Sequence, residues 1–229
     1  MKVVIQCSAT KDQTAGSFSM NGRRVKFVAH PELHEEASSR ALFRPDDMIP
    51  SMSNSWRTHL LTYNRRADNP DHLLGAADLY SPPVYRRLLN HIGPESLFIL
   101  SAGWGLIRSD FLLPEYDITF SSQGEPWKRR TKTDPFSDFA HLTESDIAHD
   151  ESVYFFGGRN YLPLYYRLTC GLMARKVVYF TSTNISTDQG FHHIRYGSAG
   201  TNWHYRCAGR SSAGALSFHN VPNGRGPPR

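Results

Sequence analysis

"LFILSAGWGLIRSDFLLPEYDITF", residues 97–120, is the stretch on which the fold turns. Leu97 to Leu100 form a short unbroken apolar run that stops at Ser101 and a glycine-bracketed tryptophan, Gly103-Trp104-Gly105. An apolar run of this length bounded by small residues reads as a strand buried on both faces. A polar loop is expected next, leading to Pro114-Glu115-Tyr116-Asp117.

Three further runs share the character of the first: "KVVIQC" (2–7), "SVYFFGG" (152–158) and "RKVVYFTST" (175–183). Between them lie helix-like segments. "AADLYSPPVYRRLLNHIG" (76–93) places Pro82 and Pro83 in a first turn, where a missing amide hydrogen costs little, and ends at a glycine. "RNYLPLYYRLTCGLM" (159–173) follows the third strand directly. Strand, small-residue turn, helix and strand in succession are the grammar of βαβ units. The expected fold is therefore α/β, a three-layer sandwich with a mainly parallel central sheet.

Residues 1–219 read as one domain, with 12–75 as a long insertion elaborating the first crossover. Within it "SFSMNGRRVKFVAH" (17–30) carries Asn21-Gly22, the dipeptide that best suits a tight hairpin. The final residues, "NVPNGRGPPR" (220–229), read as a disordered tail.

At 229 residues the chain is long enough for one sizeable core or two small ones; 39% hydrophobic residues is low for a compact domain, while 12% aromatic residues argue against general disorder. Its formal charge of +5 permits a polyanionic partner without requiring one. Cys7, Cys170 and Cys207 are too few and too scattered for a disulfide framework. No run approaches the roughly 20 apolar residues that span a bilayer, and "MKVVIQCSATK" lacks the form of a signal peptide. A cytoplasmic protein without a membrane association is expected. The P-loop pattern GxxxxGK[ST] and the pattern GxGxxG are both missing, which disfavours nucleoside-triphosphate and dinucleotide chemistry.

In open parallel sheets ligands bind at the carboxyl ends of the strands. The loops there would bring Cys7, Ser8, Thr10, Lys11, Ser101, Gly103, Gly105, Gly157, Gly158 and Arg159, with Ser182 and Thr183, towards one cleft. Short loops of this kind are also Gly- and Ser-rich for purely steric reasons. A ring such as Tyr116, Tyr80 or Trp104 could stack a planar base. Asp117 or Asp78 could support a cationic sugar or orient water, although a tyrosine and an aspartate can equally be packing and capping residues. Lys128, Arg129 and Arg130, in "WKRRTK" (127–132), suit phosphate contacts or a merely solvated face. His192, His193, His204 and Cys207 have zinc-ligand chemistry but no CxxC pair beside them, so neither a metal nor a cofactor is expected.

Taken in order, Cys7-Ser8-x-x-Lys11, "DLYSPPVYRR" (78–87), "FILSAGWGLIRSDFLLPEYDITF" (98–120) and "VYFFGGRNY" (153–161) resemble the motifs of the YaaA-like proteins. The matching positions are Cys7, Ser8 and Lys11; Asp78, Leu79, Tyr80 and Ser81; Ser101, Gly105 and Leu106; Pro114, Tyr116 and Asp117; and Gly158, Arg159 and Tyr161. The resemblance implies a link to DNA, and more distantly to the archaeosine synthase core and uracil-DNA-glycosylase-like folds. On that footing the expected function is base processing in DNA by glycosylase-like chemistry at an N-glycosidic bond. A non-catalytic DNA-binding module and an enzyme acting on free nucleosides or nucleotides stand as alternatives.

Overall fold

A computed structural model describes residues 1–35, 39–50, 52–181, 185, 188–197 and 202–212. The proposed tail and Ser182 and Thr183 lie outside these residues. Along the chain the elements are β1 (Lys2–Gln6), β2 (Ser19–Met20), β3 (Arg23–Val28), β4 (Ala41–Phe43), α1 (Trp56–Tyr63), β5 (Leu74–Gly75), α2 (Ala76–Leu79), α3 (Val84–Ile92), β6 (Leu97–Ser101), β7 (Gly105–Arg108), β8 (Leu112–Leu113) and β9 (Tyr116–Asp117). After them come β10 (Phe139–Ala140), β11 (Ser152–Phe156), α4 (Leu162–Thr169), β12 (Arg175–Phe180), β13 (His192–Arg195) and α5 (Trp203–Ser212).

The central sheet has seven strands in the order β10-β7-β6-β1-β11-β12-β13. β6, β1, β11, β12 and β13 run parallel, so the fold is α/β with a mainly parallel sheet. Val3, Val4 and Ile5 at the centre are fully buried, as are all five residues of β6. That burial is why these segments read as continuous apolar runs. Successive strand residues face opposite sides of a sheet. On one side Phe155 stacks on Tyr165 of α4, with ring centroids 4.2 Å apart. On the other, Phe156 stacks on Tyr179 at 5.1 Å, and α5 packs over β11 and against α3. Helices thus cover both faces.

The segment after Ser101 differs from the expected loop. Ala102, Gly103 and Trp104 form a hairpin bend, and "GLIR" returns as β7 antiparallel to β6, with Ile99 opposite Ile107. The bend is possible because Gly105 has φ +90, a region that L side chains rarely adopt.

Residues 12–75 build a smaller layer on this frame. β2 and β3 make the hairpin at Asn21-Gly22, both with positive φ as a type I′ turn requires. β3 then pairs with β4 and with β9, which anchors the small sheet to the segment after β7. Its apolar side is aromatic: Phe18 stacks on Trp56, and Phe27 meets both Trp56 and Trp104 edge-on. These residues and the β1 and β6 side chains belong to one continuous core.

Candidate functional site

β6 lies on one side of β1 and β11 on the other, so the chain's direction of travel reverses beside β1. Such a switch point opens a crevice at the strand carboxyl ends. A cleft of about 610 Å³ lies there. Its walls include Gln6, Cys7, Ser8 and Thr10 after β1, Gly158 to Tyr161 after β11, Thr119 and Ser121 after β9, and Asn202 and Tyr205 on and beside α5. Six of the residues expected at a shared site, Cys7, Ser8, Thr10, Gly158, Arg159 and Tyr161, therefore line one cavity.

The mouth is fixed by contacts between distant segments. The Gly158 amide donates to Gln6 Oε1 at 2.5 Å, tying the ends of β11 and β1 together. Cys7 Sγ lies 3.2 Å from the Tyr161 hydroxyl. The Tyr85 hydroxyl donates to the Gln6 carbonyl at 2.8 Å and lies 3.1 Å from the Tyr205 hydroxyl. Arg159 is exposed, and among the described residues it has no ion-pair partner.

Beneath the cleft is a chain of hydroxyls. Tyr80 and Tyr116 meet at 2.7 Å, and Ser101 Oγ donates to the Tyr116 hydroxyl at 2.9 Å. Ser101 Oγ in turn accepts from the amides of Gly103 (3.2 Å) and Trp104 (3.1 Å). Burial pushes the Tyr80, Tyr116 and Tyr161 phenols well above their ordinary value, and the nearby Cys7 sulfur adds to the rise. The half-buried Lys11 places its ammonium 4.2 Å from the centre of the Tyr116 ring. Desolvation lowers its pKa, and the neighbouring Cys7 and Asp117 oppose that shift. The underside of the site is thus protonated and mostly neutral at physiological pH, with one ammonium less firmly charged than an exposed lysine.

Two buried arginines hold the hairpin in place. Arg57 donates to the carbonyls of Gly103 (3.1 Å) and Trp104 (3.3 Å) while pairing with Asp46 through Nε at 2.7 Å. Arg130 donates to the Ala102 carbonyl at 2.8 Å and pairs with the fully buried Asp138 side chain at 2.6 Å. All three loop carbonyls are satisfied by guanidinium groups, so the loop amides stay turned onto Ser101.

Several roles expected from the sequence are corrected by this packing. Trp104, Tyr80 and Tyr116 are at most 1% exposed, so none of these rings offers a face to a base. The rings that do line the cleft are Tyr161 and Tyr205. Gly105 serves the hairpin rather than the cleft. Arg130 does not project from the basic run, because its terminal nitrogens are committed to Asp138 and Ala102. Lys128 is paired with Asp117 at 3.0 Å and with Glu125 at 2.5 Å, while Arg129 is half-buried beside Gly124. Asp78 is exposed and faces Arg86 at 3.6 Å, outside the cleft lining.

Asp117 is not part of the cleft lining; it lies two residues before Thr119, which is. Its carboxylate pairs with Lys26 (3.4 Å) as well as Lys128. Among the described residues no three His, Cys, Asp or Glu side chains converge on a metal site. No described helix is long and apolar enough to cross a membrane.

Tyr85, Tyr205, Asn202, Arg57 and Asp138 were not evident in the sequence. Tyr85 alone had a signal, since it falls on the apolar side of a helix that starts at two prolines. Comparison with models of protein families, with curated proteins and with solved structures returns no match.

Proposed function

We propose that the cleft receives a base and its sugar from a nucleic acid and that the protein acts on the N-glycosidic bond. The observation that carries this reading is a cleft of about 610 Å³ at the switch point between β1 and β11, lined by two tyrosine rings and several hydrogen-bonding side chains. That volume falls in the roughly 300–1,000 Å³ range of small-molecule sites. Tyr205 and Tyr161 supply ring surface, and Ser8, Thr10, Asn160 and Asn202 supply donors and acceptors for a base edge. Stacking contributes about 1–3 kcal/mol per base, which offsets the few kcal/mol needed to extrude one. In this reading Asp117 stabilises an oxocarbenium-like sugar or orients the attacking water, and Arg159 at the rim meets the phosphate.

The pairing of Asp117 with two lysines favours a second reading, in which the cleft binds DNA without turnover. One experiment separates the two. The purified protein is incubated with normal and hypermodified DNA, and released bases are read by mass spectrometry. Release that disappears in Asp117→Asn, with DNA affinity kept within about twofold, is the expected result. Release at the wild-type rate by the variant would remove Asp117 from the mechanism. Salt-sensitive binding with no release from any DNA would leave the binding module.

A further inference from the structure

A second, smaller cavity of about 130 Å³ adjoins the cleft. The two share Asn160, whose amide nitrogen donates to the Phe120 carbonyl at 3.3 Å. Between them the Phe120 ring meets the Tyr161 ring edge-on at 5.1 Å, forming a thin partition. The small cavity is lined by three cations, Arg130, Lys132 and Arg167, and by no carboxylate; the Arg130 terminal nitrogens are held by Asp138 and Ala102, which leaves Lys132 and Arg167 to meet an anion. The acid that pairs with the two arginines is Asp138, whose side chain is fully buried. One negative charge is therefore set against three positive ones. Lys132 is exposed and has no ion-pair partner among the described residues. The Arg130 side chain is 3% exposed, and its Nε has no hydrogen-bond partner.

We infer that this cavity is a phosphate subsite, taking a phosphodiester next to the nucleotide held in the cleft. The inference rests on the reading of the cleft as a nucleobase site and extends it: the substrate is a strand, not a free nucleoside or nucleotide. Size decides the group taken. About 130 Å³ is well below the volume that accepts a whole nucleotide-sized ligand, and the lining suits a compact anion. Guanidinium and ammonium groups give the strong charge-assisted contacts that position a backbone. Phe120, Pro163 and Leu164 form the apolar side.

The test uses the full chain and three probes: a nucleoside, the corresponding nucleoside 5′-monophosphate and a short single-stranded oligodeoxynucleotide. Affinities are measured at several salt concentrations for the wild type, Lys132→Gln and Lys132→Gln/Arg167→Gln. Arg65→Gln, at an exposed cation just past α1, controls for the single charge removed in Lys132→Gln. Lys132→Gln removes an exposed side chain, and Arg130 still grips Asp138 through two bonds when Arg167 is gone.

The double variant is expected to bind the oligonucleotide about tenfold more weakly, and its salt slope should be shallower by about 0.7 for each phosphate that is no longer neutralised. Nucleoside affinity stays unchanged, and Lys132→Gln alone shows part of the loss. Oligonucleotide binding unchanged in the double variant would overturn the subsite and leave the cleft standing. An equal loss for the monophosphate would make the anion a free nucleotide's own, and an equal loss in Arg65→Gln would make it diffuse attraction. Failure of all three probes to bind the wild type would sink the reading of the cleft itself, and the subsite with it.

Discussion

Gly105→Ala isolates the feature that sets the site's floor. The glycine has φ +90, and a Cβ built there lies 2.5 Å from the Phe139 carbonyl oxygen, 2.7 Å from Asp138 Cβ and 2.7 Å from the Phe139 nitrogen. Holding an L side chain at positive φ costs about 1–2 kcal/mol. Overlap with a backbone that cannot rotate away adds about 1–3 kcal/mol. Moving β10 aside also breaks the bond from the Phe139 amide to the Trp104 carbonyl, 2.9 Å, worth about 1 kcal/mol. The loss in unfolding free energy should total about 3–6 kcal/mol. Gly22→Ala is the internal reference, with φ +75 and nothing within 4 Å of the added carbon, so only the backbone term of about 1–2 kcal/mol remains. Urea unfolding of both variants gives the difference directly. Destabilisation of Gly105→Ala within 1 kcal/mol of the Gly22→Ala value, roughly the backbone term alone, would refute the packing of β7 against β10.

Three more outcomes follow from buried polar groups. Arg57→Met strips four hydrogen bonds, two to Asp46 and one each to the Gly103 and Trp104 carbonyls, and should destabilise by about 3 kcal/mol in thermal or urea unfolding; a change under about 1 kcal/mol would mean that the hairpin does not need the guanidinium. Burial holds the His141 and His204 rings down at about 4, below their ordinary 6.5. The unfolded chain then takes up these protons first, so stability falls as pH drops from 6.5 towards 4, by about 3 kcal/mol per ring at most. Assigned His141 and His204 imidazole NMR signals that titrate near 6.5 in the folded protein would contradict this. With Tyr80, Tyr116 and Tyr161 raised by burial, the folded chain keeps these phenols protonated where the unfolded chain ionises, and stability falls as pH rises above about 10. Native phenolate absorbance counting all tyrosines as ionised at about pH 11 would rule that out.

Four of the parallel strands, β1, β6, β11 and β12, were legible because each is largely buried on both faces, which forces an unbroken apolar run; β13, exposed or half-buried throughout, carried no such mark. "KVVIQ", "LFILS", "SVYFF" and "RKVVYF" all carry that mark. The Asn21-Gly22 hairpin was legible for a local reason too, since few residue pairs accept two positive φ values in succession. So was the start of α3 after Pro82-Pro83. Strand direction was not. "GLIR" shows no difference from a parallel strand or an apolar loop, and only its pairing with β6 makes it antiparallel. The site depended on contacts that span most of the chain. Cys7 meets Tyr161 across 154 positions, Arg57 reaches the Gly103 carbonyl across 46, and Tyr85 approaches Tyr205 across 120. Residue types in the loops named what could gather at the sheet edge. Which rings face the cleft and which are sealed beneath it was decided by packing, because burial is a property of the neighbours a side chain acquires and not of the residues beside it in sequence.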